Sequence, residues 1–177
     1  MATTSEVTVA PGTATHATIR SSLGDLTAVA RDGSITGLYF PHHWHMPDRA
    51  GFGEYRDNGF DDARRQLDEY LTGERHEFDL PVMAAGNPFQ ERVWELLGQI
   101  PYGATVSYGE LARELGGGVT AQEVGAAVGR NPVSIIIPCH RVVGASGGLT
   151  GYAGGLRRKR ILLDLEQDVA GRSARLF

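Results

Sequence analysis

Apolar residues early in the chain alternate with polar ones in short runs, and further on they recur at steps of three and four. Residues 16–20, 25–30 and 35–40 show the alternation expected of strands. The steps between them, Ser21-Ser22-Leu23-Gly24 and Arg31-Asp32-Gly33-Ser34, read as turns. Residues 41–59 are rich in Gly, Pro and His, follow neither period, and read as a loop. At 61–71 the period becomes helical, with Ala63, Leu67, Tyr70 and Leu71 on one face. A short strand over 76–80 is expected to close this part, and Met83-Ala84-Ala85-Gly86 is the expected boundary.

Three helix starts follow. Asn87-Pro88-Phe89-Gln90 supplies an N-cap, a proline at the first helical position and a capping-box glutamine. Phe89, Val93, Leu96, Leu97 and Ile100 then form an apolar face, which Pro101-Tyr102-Gly103 ends. Ser107 with Glu110, and Thr120 with Glu123, are two further capping boxes. The first leads into Leu111, Ala112 and Leu115 and stops at Gly116, Gly117 and Gly118; the second leads into Val124, Ala127 and Val128 and stops at Asn131-Pro132. Two short capped helices joined by a Gly turn suit a helix-turn-helix, and equally a plain antiparallel pair inside a core. The second helix carries Gly125, Ala126, Ala127 and Gly129, small enough for its backbone to approach another surface closely.

The β-branched run Ser134-Ile135-Ile136-Ile137 predicts a buried strand that delivers Pro138-Cys139-His140-Arg141-Val142. A thiolate is the reactive form of cysteine, and a neighbouring base or cation takes its proton or lowers its pKa. Adjacent residues of a strand face opposite ways, so His140 reaches the sulfur only if the chain turns there, which Pro138 favours. The same residues also fit an inert, buried cysteine that packs as a small hydrophobe.

Composition narrows the possibilities. The chain has 177 residues, 41% hydrophobic and 21% charged, enough for one large domain or two small ones with a real core. No stretch is long and apolar enough for a membrane span. Residues 1–15 are expected to form a flexible tail, since the Thr/Ala-rich start has neither the basic nor the apolar block of a signal peptide. A single cysteine excludes an internal disulfide framework and points to a reducing, cytoplasmic setting. The net charge of −4 argues against a generic nucleic-acid binder, but it is unevenly spread: residues 1–86 hold 7 basic and 13 acidic side chains, residues 87–177 hold 10 and 8. Any nucleic-acid contact is therefore expected in the second half.

The run Pro138-Cys139-His140-Arg141-Val142 resembles the active-site signature of the O6-alkylguanine-DNA alkyltransferases. The similarity extends from about Phe89 to Glu166, through Tyr102-Gly103, Val106-Ser107-Tyr108, Asn131-Pro132, Gly151-Tyr152 and Gly154-Gly155-Leu156. It implies an α/β protein: a small ribonuclease-H-like α/β domain over 16–84, then a mostly helical, winged-helix-like (helix-turn-helix) domain over 87–177. It also implies transfer of an alkyl group from O6 of guanine in DNA, with O4-alkylthymine a second candidate substrate, irreversibly onto Cys139. The damaged base would be flipped out of the duplex. By this resemblance His140 is a general base acting through water, and Glu166 holds the imidazolium. Tyr108 gives a proton to the departing guanine, and Asn131 fixes the turn that carries the pair. Tyr152, Ala153, Gly154, Val142 and Pro138 would shape the base pocket, and Thr120, Ala121, Gln122, Ala127, Arg130 and Arg141 would meet DNA. No cofactor or metal is implied, and the expected partner is alkylated double-stranded DNA bound by a monomer.

Two positions depart from the family pattern. Gln122 stands where an intercalating arginine is usual, and Ala153 where a serine often follows the pocket tyrosine. The first departure keeps open a non-catalytic marker of damaged DNA, although such proteins lack the cysteine. A redox-sensing helix-turn-helix regulator is a third possibility, but it has no use for Tyr108 or Tyr152. His42, His43 and His45 are read as a surface loop rather than a metal site, and Arg157-Arg158-Lys159-Arg160 as either a DNA-facing patch or a solvated helix face.

Overall fold

The computed structural model describes residues 12–174. Of the expected tail over 1–15, residues 1–11 lie outside the described residues, and its last positions, Ala14 and Thr15, already belong to a strand. Strands β1 (Ala14–Ile19), β2 (Leu26–Arg31) and β3 (Ser34–Tyr39) form an antiparallel meander within a residue or two of the predicted bounds. The stretch 41–59 is not wholly irregular. It holds a 3-10 turn, Arg49–Phe52, and a two-residue strand, β4 (Glu54–Tyr55), parallel to β1, so the sheet order is β3-β2-β1-β4. Helix α1 (Asp61–Leu71) buries Ala63, Gln66, Leu67 and Tyr70.

The strand expected over 76–80 does not form. Its neighbour Val82 makes one bridge to Ile35 on the free edge of β3, where Ile35 N–H donates to Pro81 O and Met83 N–H to Ile35 O. The Gln66 side chain meets Asp79 through both its backbone N–H and its carbonyl. These side-chain bonds satisfy the segment without a ladder.

Each predicted helix start in the second half carries its capping box: α2 (Pro88–Gly98) after Asn87, α3 (Tyr108–Leu115) after Ser107, and α4 (Ala121–Gly129) after Thr120. A two-residue strand, β5 (Val106–Ser107), precedes α3 and pairs in parallel with β6 (Val142–Val143). Helix α2 packs on α4, and the buried Trp94 indole N–H donates to Ala127 O over 2.9 Å. Helix α5 (Leu156–Ala174) follows Gly154-Gly155 and carries the basic run 157–160 and Glu166. One continuous core joins both halves, from Ala17, Leu38 and Phe40 to Val93, Val124, Cys139 and Leu162. Among the described residues no helix is long and apolar enough to cross a membrane.

Candidate active site

The run 134–137 is not the buried strand its composition suggests. Val133 makes a single bridge with Leu38 on β3, and the chain then turns repeatedly. Ile137 N–H donates to Val133 O, Ile136 N–H to Ser134 O and Cys139 N–H to Ile137 O, with Ile135 at a φ of 69°. Buried Asn131 overrides the β-branched preference. Its Nδ2 donates to Ile137 O over 2.9 Å, and its Oδ1 accepts from Val133 N–H over 3.0 Å. That clamp folds the segment into a loop. The loop leads into a 3-10 turn, Cys139–Arg141, the turn that a Cys-His pair needs in order to act together.

Behind the cysteine lies a buried polar cluster centred on Glu166 of α5. Glu166 Oε1 accepts from His140 Nε2 at 2.8 Å, Arg141 Nη2 at 2.8 Å and the Tyr70 hydroxyl at 2.6 Å. Its Oε2 accepts from Arg141 Nε at 2.9 Å and from Gly103 N–H at 3.2 Å, where Gly103 holds a φ of 79°. Burial alone would raise the Glu166 pKa, but the hydrogen bonds from His140, Arg141 and Tyr70 together pull it down to about 2. A carboxylate can only accept, so Glu166 fixes the His140 tautomer with its proton on Nε2. The other ring nitrogen, Nδ1, is buried with no protein partner and keeps its lone pair. Burial lowers the His140 pKa, so the ring is neutral and basic at rest. Burial pushes the Cys139 thiol up to about 11, while the Asn131 amide and the Lys159 charge pull the other way. The resting sulfur is therefore a thiol that needs a base.

Cys139 opens on a cavity of about 170 Å³. Tyr108, Tyr152 and Ala153 line it, together with Gly125, Ala126, Val128 and Gly129 of α4. The small side chains of α4 thus form one wall of the pocket. Tyr152 is buried edge-on to Phe40, with ring centroids 6.0 Å apart. Tyr108 is half-buried, and burial raises its pKa, so it stays protonated.

Several expected site residues lie elsewhere. Arg141 was assigned to DNA, but its side chain is turned inward to Glu166 and donates through Nη1 to Ile100 O at 2.6 Å. Ala127 is buried on the core side of α4. Val142 is fully buried in β6, and Gly154 packs so tightly on Phe40 that a methyl group there would run into the ring. Pro138 lines a separate cavity of about 520 Å³ with Tyr102 and Arg141, a space that Cys139 does not reach. Thr120, Ala121, Gln122 and Arg130 remain exposed at the two ends of α4.

The basic run on α5 divides. Arg157 and Arg160 are exposed, whereas Arg158 donates to Leu23 O and Gly154 O. Lys159 is fully buried, its Nζ donating to Gly151 O at 2.9 Å and lying 5.9 Å from the centre of the Tyr108 ring. The histidine loop also separates. His43 is buried edge-on to Tyr39, while Trp44 and His45 line the Cys139 cavity. Sequence reasoning missed Tyr70, Lys159 and Trp44 as site residues. The signal for Lys159 was its position, since 159 and 166 lie two turns apart and so share the inward face of α5. Tyr70 and Trp44 carried no such local signal.

Comparison with known proteins agrees with this geometry. Residues 15–84 match the ribonuclease-like domain of 6-O-methylguanine DNA methyltransferase, and residues 88–168 match its DNA binding domain. A methylated-DNA–protein-cysteine methyltransferase of Mycolicibacterium paratuberculosis is 46% identical over 162 residues, covering 92% of this chain and 98% of the relative. One from Mycobacterium bovis is 45% identical over 163 residues, with the same coverage of 92% and 98%. Among solved structures, the Mycobacterium tuberculosis OGT in complex with DNA is 43% identical with a TM-score of 0.81, covering 88% of this chain and 94% of that one. The chain belongs to the 6-O-methylguanine DNA methyltransferase family.

Proposed function

We propose that the protein repairs DNA by direct reversal, moving a methyl or larger alkyl group from O6 of guanine to the sulfur of Cys139. The observation that carries this reading is the cysteine in a base-sized cavity, backed by a His140 whose tautomer and orientation Glu166 fixes. The damaged base enters the pocket after rotating out of the duplex. His140 Nδ1 takes the thiol proton through a water molecule, and Glu166 stabilises the imidazolium that forms. The thiolate attacks the alkyl carbon, so a sulfur–carbon bond forms as the carbon–O6 bond breaks. Protonated Tyr108 gives its proton to the departing guanine, and the imidazolium proton makes good that loss. In net terms, one proton moves from Cys139 to guanine. A thioether is a poor leaving group, so each molecule acts once.

Exposed Thr120, Ala121, Gln122 and Arg130 are suited to the DNA-facing surface, with alkylated duplex as the partner. Every group in the scheme comes from one chain, so a monomer suffices. A DNA substrate and a thiol that must stay reduced support a cytoplasmic setting. We also divide the chain at residues 85–86, between an α/β domain over 16–84 and the reactive domain over 87–177. The test is the intact mass after incubation with an O6-methylguanine duplex, beside Cys139→Ser. A gain of one methyl per chain, absent in the variant, is expected. Duplex binding without a mass gain would sink the reading.

A further inference from the structure

The loop after β3 reaches across to the reactive half. Trp44 N–H donates to Ala153 O over 3.0 Å, and His43 N–H donates to Phe40 O over 3.2 Å. His42 and His45, on either side, hold φ angles of 57° and 59°, so the chain turns sharply before and after the indole. Buried His43 packs edge-on against Tyr39, with ring centroids 5.3 Å apart. The loop is thus pinned to β3 at one end and to the pocket rim at Ala153 at the other. Trp44 is nevertheless 61% exposed, and it lines the Cys139 cavity. The same cavity is lined by Tyr108, Tyr152 and His45, and by Gly125, Ala126 and Gly129, which offer backbone and methyl groups but no ring. A large, exposed aromatic side chain held by a pinned backbone at the wall of a base-sized pocket is the arrangement that stacks on a planar ligand.

We propose that Trp44 is a specificity-determining residue that packs its indole against the O6-substituted purine in the Cys139 pocket, so that the first half of the chain contributes directly to substrate affinity. This rests on the alkyl-transfer reading above. The contact strengthens with the apolar area of the O6 substituent, so a benzyl group depends on it more than a methyl group does. Trp44 also borders an adjoining hollow of about 300 Å³ that Arg130 and Pro132 help to line.

The experiment uses the full chain and two probes, an O6-methylguanine duplex and the free base O6-benzylguanine. The free base reaches the pocket without help from the DNA-facing surface. Single-turnover alkylation of Cys139 is followed by mass in wild type, Trp44→Ala and Trp44→Phe. For the free base, Trp44→Ala is expected to raise the half-saturating concentration roughly tenfold, about what the loss of one base–aromatic stack gives. The limiting rate should fall much less, and Trp44→Phe should recover most of the affinity. Indole emission supplies a second readout, because the chain has two tryptophans and Trp94 is buried. In the unreactive Cys139→Ser protein, titration with O6-benzylguanine should change the emission, and Trp44→Phe should abolish that change. Equal half-saturation in wild type and Trp44→Ala, or faster benzyl transfer in Trp44→Ala, would overturn the proposal. Failure of the wild type to take a methyl from the duplex would instead overturn the alkyl-transfer reading, and the proposal with it.

Discussion

The Tyr70 hydroxyl on α1 donates to Glu166 Oε1 on α5 over 2.6 Å, although the two residues lie 96 positions apart. The same oxygen accepts from His140, and the Tyr70 hydroxyl lies 3.3 Å from His140 Nε2. The first half of the chain therefore braces the base of the reactive centre. Tyr70→Phe removes one hydrogen bond to a buried carboxylate and leaves the ring in place. A loss of about 1.5–3 kcal/mol in folding free energy is expected, since the acceptor is charged. Alkyl transfer should slow by less than about tenfold, because His140 and Arg141 still hold Glu166. Urea unfolding and single-turnover alkylation measure the two effects separately.

The same cluster sets the acid limit of the fold. Glu166 titrates at about 2, against an ordinary value of 4.5. A carboxyl with a depressed folded pKa stabilises the protein wherever it is ionised in both states, which here means above about pH 4.5. That contribution is lost as pH falls from there through about 2, where the folded state must also take the proton. Unfolding free energy measured across this window should fall steeply for the wild type. In Tyr70→Phe the Glu166 pKa is less depressed, so the fall should be shallower. Identical slopes would show that the Tyr70 hydrogen bond does not shift Glu166.

Lys159 is the buried cation near the thiol, and burial lowers its pKa to about 8 while the Cys139 charge works against that shift. Below that pH its ammonium stabilises the thiolate; above it the help disappears. The transfer rate of the wild type should therefore rise with pH as His140 loses its proton and decline again near pH 8. Lys159→Met removes the charge and is expected to slow transfer by about tenfold or more, since a nearby opposite charge moves a pKa by about one unit or more. It should also abolish the alkaline decline. A slower variant that keeps the decline would mean that Lys159 acts only by holding Gly151 O.

Local signals were legible in the sequence where a regular helix or hairpin supplies its own caps, turns and apolar face. The three capping boxes, the α1 face and the β1–β3 meander depend on partners a few residues apart, and all formed as expected. Side-chain-to-backbone bonds overrode strand propensity at 134–137, where nearby Asn131 turns an isoleucine run into a loop, and at 76–80, where Gln66, thirteen residues from Asp79, replaces a ladder. Cys139, His140, Glu166, Asn131 and Tyr108 were named from a family signature rather than from chemistry, since nothing local distinguishes a reactive cysteine from an inert one. The signature could not give direction. Arg141 belongs to the same five-residue run, yet it serves Glu166 instead of DNA. Tyr70 and Trp44 come from outside the signature and meet the site through the packing of the two halves.

Gln122 is exposed on the first turn of α4, one residue beyond Ala121, on the face left free by the buried Val124, Ala127 and Val128. Its neighbour Glu123 is occupied, with Oε2 accepting from both the backbone N–H and the hydroxyl of Thr120. The helix start is thus closed by its own capping box, and Gln122 is the longest side chain it presents to a docking duplex. A glutamine there can hydrogen-bond an orphaned base but brings no charge and no planar cation to fill the gap in the stack. Gln122→Arg supplies both and leaves the capping pair intact. Binding to an O6-alkylguanine duplex, measured with Cys139→Ser so that no transfer intervenes, should tighten by about fivefold or more at low salt. One added cation facing the backbone should steepen the logarithmic salt dependence by about one unit, whereas a purely steric filling of the gap would leave that slope unchanged. Equal or weaker binding would mean that the start of α4 does not enter the duplex, and that Arg130 at its other end becomes the residue to test.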